Sequence, residues 1–182
     1  MEVTTTPFAG LLAIELGRHE DARGWLTETY QRERYVAAGI TDELVQDNLS
    51  SSHRGVLRGL HYQRRRPQGK LVHVVAGVIY DVAVDLRPGS PTFARWFGTT
   101  LSAVGRRQLW IPPGFAHGFL ALMDAVVAYK CSDRYDPDDS HAIRWNDPDL
   151  AIRWPLEVSP TLSATDAAAP WFRDARLPEA AP

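Results

Sequence analysis

The stretch KLVHVVAGVIYDVAVDL, residues 70–86, decides the fold of this 182-residue chain. Runs of β-branched residues lie on either side of Gly77, which is the pattern of a strand, a tight turn and a second strand. Side chains alternate between the two faces of a strand, so the second run has its valines on one face and two aspartates, Asp81 and Asp85, on the other. The stretch therefore predicts two strands, the second with an acidic face.

Similar strand signals continue towards the C-terminus. A helix is expected at residues 30–38, ended by Gly39. The stretch from Pro155 onwards is rich in proline and alanine, as in a trailing arm. Many short strands between glycine and proline turns favour an all-β fold, a jelly-roll β-barrel or sandwich with a few short helices, in one domain of residues 1–182. The further strands are predicted at residues 93–101, 108–111, 119–123 and 125–132, the last two joined by a hairpin with Asp124 at its tip.

Composition narrows the class of protein and of partner. Hydrophobic residues make up 45% of the chain and charged residues 23%, as in an ordinary globular domain. A net charge of −2 gives no reason to expect nucleic acid or an anionic membrane as a partner. The single cysteine, Cys131, excludes an intrachain disulfide and fits a reducing compartment. The N-terminus has neither a basic region nor a long apolar run, so we expect no signal peptide or membrane span and a cytoplasmic location.

The segment RGLHYQRRRPQGK, residues 58–70, carries the first candidate chemistry. His61 lies in a strand-like run and Lys70 follows a turn, in a chain that has only two lysines. A neutral imidazole can remove a proton and a fixed ammonium can stabilise an oxyanion, so the pair suggests proton abstraction next to a carbonyl. The alternative is a strand with a solvated end. The arginine run 64–66 is expected to be a solvated loop.

Three further residues have both a structural and a chemical interpretation. His117 follows a Pro-Pro-Gly turn, where it either enters the mouth of a barrel or is a satisfied core histidine. Tyr129 alternates with apolar residues, as a core aromatic or as a general acid would. Asp166 fits a capping box before three alanines, and it could instead orient His61 and stabilise its charged form. Spacing alone leaves these alternatives open.

Polar side chains elsewhere suggest a site for an anion and a sugar. Arg23 lies beside a glycine turn with Glu28 close behind, residues 46–50 form an amide and carboxylate cluster, and Arg58 begins the histidine segment. Arginine binds phosphate oxygens through two parallel hydrogen bonds, so several arginines would suit a diphosphate. Each of these residues taken singly could equally be a surface charge or a turn residue.

Nine runs spread along the chain carry a resemblance to a known family. They are QDNLS at 46–50, GVLRGLHYQ at 55–63, QGKLV at 68–72, DVAVDLR at 81–87, SPTF at 90–93, IPPGFAHGF at 111–119, WNDP at 145–148, IRWP at 152–155 and LSATDAAAP at 162–170. Together they closely resemble the dTDP-4-dehydrorhamnose 3,5-epimerase family over almost the whole chain. The resemblance implies a cupin-type jelly roll, a homodimer, and no metal or organic cofactor.

The resemblance also implies a substrate and a role for each matching residue. The family inverts C3 and C5 of a dTDP-linked 4-keto-6-deoxyhexose on the way to dTDP-L-rhamnose. Its base corresponds to His61, the partner carboxylate to Asp166, the acid to Tyr129 and the oxyanion-stabilising lysine to Lys70. Nucleotide and sugar contacts correspond to Arg23, Glu28, Gln46, Asp47, Asn48, Arg58 and His117, and the aromatic that stacks on thymine to Tyr135. Ser140 and Thr165 depart from the family pattern, in which an acidic residue and a lysine are commoner.

Other activities remain open on the sequence. Relatives with the same catalytic residues invert only C3 or only C5 of deoxy or amino sugars. A metal-dependent cupin is a second class, because residues 112–117 match part of a cupin metal motif. However, no H-x-H pair occurs among the six scattered histidines. A sugar-nucleotide binding module without catalysis would keep the arginines and would not need His61 or Tyr129.

Overall fold

The computed structural model describes residues 1–178, and most of its regular structure is β-strand. The strands are β1 Glu2–Thr5, β2 Leu12–Glu15, β3 His19–Asp21, β4 Gly24–Leu26, β5 Gln46–Ser52, β6 Leu57–Gln63, β7 Lys70–Ala76, β8 Val78–Asp85, β9 Trp96–Ser102, β10 Arg107–Ile111, β11 Phe115–Ala121, β12 Ala125–Cys131 and β13 Ser140–Ala142. The helices are α1 Arg32–Ala37, α2 Ala164–Ala167 and two 3-10 helices, Pro137–Asp139 and Phe172–Asp174. Within residues 1–178 no helix is long and apolar enough to cross a membrane. The last four residues of the predicted 1–182 domain lie outside the described residues.

Two antiparallel sheets form the body of the protein. One has six strands in the order β1-β2-β10-β7-β12-β5, and the other has five in the order β13-β6-β11-β8-β9. Strands β3 and β4 form a separate hairpin that pairs with neither sheet. The sheets face each other across a shared apolar core, which confirms the predicted all-β fold of cupin-type jelly-roll architecture.

The core between the sheets is built from alternate residues of facing strands. Because side chains in a strand alternate, these residues identify the inward-facing positions of each strand. The cluster includes Val72 and Val74 of β7, Ile79 and Ala83 of β8, Phe115 and Phe119 of β11, and Val127 of β12.

The C-terminal segment is not the trailing arm that its composition suggested. Leu57 and Thr161 are joined by a backbone hydrogen bond of 3.0 Å, which ties this segment to β6. Trp154, Phe172 and Leu177 then pack against a second apolar cluster on the outer face of the five-stranded sheet. That cluster contains the outward-facing valines of β8, so β8 is buried on both faces and its aspartates are buried with it.

Gly77 is a corner between the two sheets and not the turn of a hairpin. The strands on either side of it, β7 and β8, belong to different sheets. The glycine has a φ of 78°, and a Cβ atom there would lie 2.0 Å from the carbonyl oxygen of Asp124. Only a residue without a side chain fits at this corner, which a local sequence pattern does not distinguish from a hairpin turn.

Several element boundaries differ from the predicted ones. The strand predicted at 93–101 begins only at Trp96, because the hydroxyls of Ser90 and Thr92 both donate to Asp85 and hold the preceding residues in a turn. The strand predicted at 119–123 is part of β11, which begins earlier and includes His117. Because β11 and β12 belong to different sheets, the hairpin predicted with Asp124 at its tip is not formed. The helix is shorter than predicted and starts after Gln31, whose side chain accepts from the backbone N–H of Arg34.

The arginine run 64–66 is anchored as well as solvated. The backbone N–H groups of Arg65 and Arg66 both donate to the carboxylate of Asp139, which is 1% exposed. Arg66 also forms an ion pair with Asp133. These contacts fix the loop that leads from β6 to β7.

Candidate active site

The candidate site and the core are formed by the same inward-facing positions of the strands. Lys70 precedes the core valines of β7, Tyr129 follows the core valine of β12, and His117 lies between the two core phenylalanines of β11. Alternation therefore points all three side chains between the sheets. At this end of the interior, polar and ionisable groups replace the apolar packing.

A cavity of about 520 Å³ opens at this end of the molecule. An adjoining recess of about 170 Å³ shares several of its walls. Nine of the twelve predicted site residues line one or both of these spaces. They are Gln46, Asn48, His61, Lys70, Tyr129, Tyr135 and Asp166 in the cavity, and Arg58 and His117 in the recess.

His61 and Asp166 form a direct pair at the wall of the cavity. Nε2 of His61 lies 2.5 Å from Oδ1 of Asp166. The side chain of Asp166 is 4% exposed and that of His61 is 42% exposed, so the imidazole reaches the cavity while the carboxylate lies behind it. Within residues 1–178, Nδ1 of His61 has no hydrogen bond, which leaves it able to accept a proton from a bound molecule.

Only one half of the capping box considered for Asp166 is present in the described residues: Ser163 caps the helix, while the Asp166 carboxylate is paired with His61. The hydroxyl of Ser163 accepts from the backbone N–H of Asp166 at 3.0 Å and caps α2, so the Asp166 carboxylate is available to His61. Burial on its own would raise the pKa of Asp166. The hydrogen bonds that it receives, first of all from His61, outweigh burial and hold that pKa below the usual 3.8.

Two glycines allow β6 and β11 to approach closely where His61 is held. Gly59 has a φ of 127°, and a Cβ atom there would lie 2.5 Å from the Cα of Gly118. Next to this contact His61 and His117 are directly opposed across the two strands. The sequence RGLH and the sequence AHGF thus bring two histidines to one site.

Lys70 and Tyr129 occupy neighbouring strands of the opposite sheet. Lys70 is paired with Cys131 across β7 and β12, two residues from Tyr129. Burial lowers the pKa of Lys70, while Cys131 and Asp81 act in the opposite direction. Burial raises the pKa of Tyr129, so its phenol keeps its proton near neutral pH and can donate it.

The structure adds Asp81 to the residues that the sequence indicated for the site. Oδ2 of Asp81 lies 2.8 Å from Nε2 of His117, and the two side chains are 0% and 10% exposed. Its second oxygen, Oδ1, is the one buried side-chain oxygen or nitrogen without a hydrogen bond in the described residues. The signal that could have found it is the acidic face predicted for β8.

Neutral polar groups line the outer part of the cavity. The side chain of Gln46 accepts from the backbone N–H of Tyr135 at 2.8 Å and donates to Asn48 at 3.0 Å. Tyr135 is 58% exposed, so much of its side chain is open to solvent. Ser140 and Thr165, the two departures from the family pattern, lie in this part of the lining.

Three predicted binding residues lie outside the cavity and the recess. Arg23 forms an ion pair with Asp21 on the β3–β4 hairpin, and Glu28 forms one with Arg34. Asp47 alternates with the inward-facing residues of β5, so it points outwards. Its carboxylate pairs with Lys130 at 2.9 Å.

The histidines of the site are not arranged as a cluster of metal ligands. Nε2 of both His61 and His117 is hydrogen-bonded to a carboxylate. In the part of the chain from residue 1 to 178, no group of three or more His, Cys, Asp or Glu side chains is arranged to hold a metal ion.

The family model and the curated relatives that match this chain carry the same name. The family model described as dTDP-4-dehydrorhamnose 3,5-epimerase matches residues 5–174. A protein of that name from Pseudomonas aeruginosa is 49% identical over 177 residues, which cover 96% of this chain and 98% of the relative. Another, from Neisseria gonorrhoeae, is 49% identical over 170 residues; these cover 92% of this chain and 52% of the relative, so the chain spans about half of that protein's length.

A solved structure extends the similarity to three dimensions. It is a dTDP-6-deoxy-D-glucose-3,5-epimerase from Legionella pneumophila in complex with dTDP-4-keto-L-rhamnose. The TM-score is 0.95 and the sequences are 48% identical, with 100% of this chain and 99% of that chain covered. The match of the family model to most of the chain, together with these relatives, means that this chain belongs to the dTDP-4-dehydrorhamnose 3,5-epimerase family of isomerases.

Proposed function

We propose that this protein inverts C3 and C5 of a dTDP-linked 4-keto-6-deoxyhexose without a metal or organic cofactor. The observation that carries the proposal is the His61–Asp166 pair at 2.5 Å, on a cavity that Lys70 and Tyr129 also line. A 4-keto group acidifies the C–H bonds of both neighbouring carbons. A base, an oxyanion stabiliser and an acid are therefore sufficient for the reaction.

Each of these groups has a defined task in the proposed mechanism. His61 donates its Nε2 proton to Asp166 in a hydrogen bond and takes a substrate proton on Nδ1, and Asp166 stabilises the resulting imidazolium. Lys70 stabilises the negative charge that develops on O4 of the enolate. Tyr129 then protonates the carbon from the opposite face, because a proton returned by His61 would restore the starting configuration.

The remaining lining residues suit a sugar nucleotide. Tyr135 offers an exposed aromatic side chain for stacking on thymine, supported by the hydrogen bond from its backbone to Gln46. Arg58 reaches the recess while it donates to the hydroxyl of Ser52 and the carbonyl oxygen of Ser51. Its guanidinium can hold a phosphate or a sugar oxygen.

The decisive experiment is incubation with dTDP-4-keto-6-deoxyglucose in D2O, with deuterium located by NMR. Deuterium at both C3 and C5, together with formation of the L-sugar, is the expected result. Deuterium at one carbon only would mean an enzyme that inverts a single centre. Calorimetric binding without exchange at either carbon would favour the non-catalytic binding module.

The metal-dependent alternative has its own test. After dialysis against a chelator and metal analysis of the protein, exchange at C3 and C5 is expected at the original rate. Loss of exchange that a divalent cation restores would support a metal-dependent cupin.

We further propose that the protein is a homodimer in which Arg23 and Glu28 act on the partner subunit's cavity. This is supported by their location outside the cavity of their own chain. It is also supported by Trp25 and Leu26, which are 60% and 69% exposed on a hairpin that pairs with neither sheet. Exposed apolar side chains of this size are typical of a surface that another chain covers.

Mixed dimers test this arrangement. Arg23→Ala and His61→Ala are each expected to have little activity at low substrate concentration. Mixing the two variants under conditions of subunit exchange should restore up to about a quarter of the wild-type activity, because half of the dimers would then contain one intact site. No recovery in dimers shown to have exchanged would mean that Arg23 does not act across the interface. The cytoplasmic location stays a prediction.

A further inference from the structure

Asp81 is a buried acid next to the site. In the described residues, one of its two carboxylate oxygens is hydrogen-bonded and the other is not. We infer that Asp81 is a positioning residue of the proposed reaction, which orients His117 with one oxygen and keeps the ammonium of Lys70 charged from the other side of the interior. This inference rests on the proposed function, because it assigns Asp81 a task in supporting the oxyanion-stabilising lysine.

The alternation of β8 determines the direction of the Asp81 side chain. Ile79 and Ala83, two residues before and after it, both belong to the core between the sheets. Asp81 therefore points into the same interior and towards the six-stranded sheet. Lys70 lies on the same face of β7 as the core valines, so it points into that interior from the opposite sheet.

The two oxygens of Asp81 are in different situations. Oδ2 lies 2.8 Å from His117, whose ring lines the same recess as His61 and Lys70. Oδ1 is buried and has no hydrogen bond in the described residues. Burying a carboxylate oxygen without a hydrogen bond costs free energy unless a positive charge is close by. Lys70 points into the same interior and interacts electrostatically with Asp81.

The charge of Lys70 in turn depends on Asp81. Burial disfavours its protonated form, while Cys131 and, to a smaller extent, Asp81 favour it. Burial raises the pKa of the Cys131 thiol, so this thiol is neutral near pH 7, and the carboxyl group of Asp81 is the remaining acidic group that favours the charged lysine. The other ionisable groups that line the recess or cavity with Lys70 are His61 with its partner Asp166, His117, Tyr129 and Arg58.

The mechanism explains why a charged Lys70 matters. An amine that has lost its proton stabilises an enolate oxygen far less than an ammonium does. Removing the negative charge of Asp81 lowers the pKa of Lys70, so the ammonium is lost at a lower pH than in the wild type. The alkaline limb of the kcat profile should therefore move towards neutral pH.

The test compares Asp81→Asn with Asp85→Asn. Both acids are fully buried on the same face of β8, but Asp85 binds Arg87 and the turn that follows, away from the site. For Asp81→Asn we expect kcat to fall by at least about tenfold, less than the roughly 10²–10³-fold loss typical when an oxyanion-stabilising group itself is deleted. Its alkaline limb should shift down by about one pH unit or more. Asp85→Asn should leave the profile unchanged.

A second measurement needs no substrate. The chain has two lysines, so protein labelled with 13C-lysine gives one Cε signal for Lys70 and one for Lys130, which is paired with Asp47 on the outer face. In Asp81→Asn the Lys70 titration should move to lower pH while that of Lys130 stays. An unchanged Lys70 titration in folded Asp81→Asn would overturn the inference.

Two controls separate the possible failures. If the wild type catalyses neither exchange nor inversion, the proposed function fails, while the lysine titration still decides the role of Asp81. If Asp81→Asn does not fold, the double variant Asp81→Asn/Lys70→Met removes both charges together. The double variant should recover the fold, and a double variant that also fails to fold would overturn the coupling between the two charges.

Discussion

Two histidine–aspartate pairs border the same interior, and they differ in where the histidine lies. His61 is 42% exposed and pairs with Asp166, which is 105 residues away on the C-terminal segment. His117 is 10% exposed and pairs with Asp81, which is 36 residues away on an adjacent core strand. The same two residue types thus form one pair that opens to the cavity and another that is enclosed by protein.

The difference shows that exposure, and not the type of pair, determines what such a pair can do. An exposed imidazole with a buried partner can exchange a proton with a bound molecule and keep its orientation. An enclosed imidazole is held by its partner and presents a fixed wall to the site. We therefore expect variants of the open pair to affect proton transfer, and variants of the enclosed pair to affect the groups around it.

The largest effect is expected for His61→Ala. Removing the base should lower turnover by roughly 10²–10⁴-fold, the usual contribution of a general base, while nucleotide binding is retained. His73→Ala is the matched control, because His73 lies on the same strand as Lys70 but its side chain points away from the interior. Turnover of His61→Ala within about tenfold of the wild type, which is roughly 1.4 kcal/mol of barrier, would remove the open pair from the mechanism.

Tyr129→Phe should separate the two halves of the reaction. Loss of the acid should reduce inversion by about 10²-fold or more, while His61 continues to exchange substrate protons with D2O. Exchange and inversion are measured in the same sample by NMR, with Tyr80→Phe on the outer face of β8 as the control. An equal loss of both processes would indicate that Tyr129 positions the substrate instead.

Asp166→Asn should reduce turnover by about a hundredfold, because the amide cannot stabilise the imidazolium of His61. Ser163→Ala is the control, since it removes the cap of α2 with a loss of about 1 kcal/mol in stability and should affect turnover much less. The depressed pKa of Asp166 stabilises the fold above pH 3.8, and this contribution is lost as the pH falls through the lower folded-state value. Near wild-type turnover of a stable Asp166→Asn protein would contradict its role in the open pair.

The smallest effect on activity is expected for Asp85→Asn. Asp85 lies on β8, the strand that carries Asp81, but it belongs to neither histidine–aspartate pair. Although burial raises the pKa of Asp85, hydrogen bonds from Arg87, Ser90 and Thr92 lower it to about 2 from 3.8. The variant should lose about 2 kcal/mol in the free energy of unfolding at pH 7, with turnover nearly unchanged.

The pH dependence checks the origin of this stability. The contribution of Asp85 is fully present above pH 3.8 and is lost as the pH falls towards about 2. Urea unfolding of wild type and variant at pH 7 and near pH 2 should therefore give converging stabilities at the lower pH. A difference that is equal at both pH values would assign the effect to packing.

Local patterns predicted the strands well and their partners poorly. The alternation in β8 and β12 was visible in the sequence, as was the direction in which Tyr129 points relative to its neighbours. The assignment of β7 and β8 to different sheets was not visible, because a glycine at a corner and a glycine in a hairpin satisfy the same local rule.

The sequence by itself determined the all-β class, the alternation that places Tyr129 on the same strand face as Val127 and Cys131, and the motifs that carry the family resemblance. These features depend on residues that are close together in sequence. In a strand, alternation every two residues is enough to show which side chains share a face. Only the tertiary structure brought Asp166 to His61 and Asp81 to the interior faced by Lys70, and left Arg23 outside the cavity. Such contacts join segments that are far apart in sequence, so they depend on how the two sheets and the C-terminal segment pack and not on any local pattern.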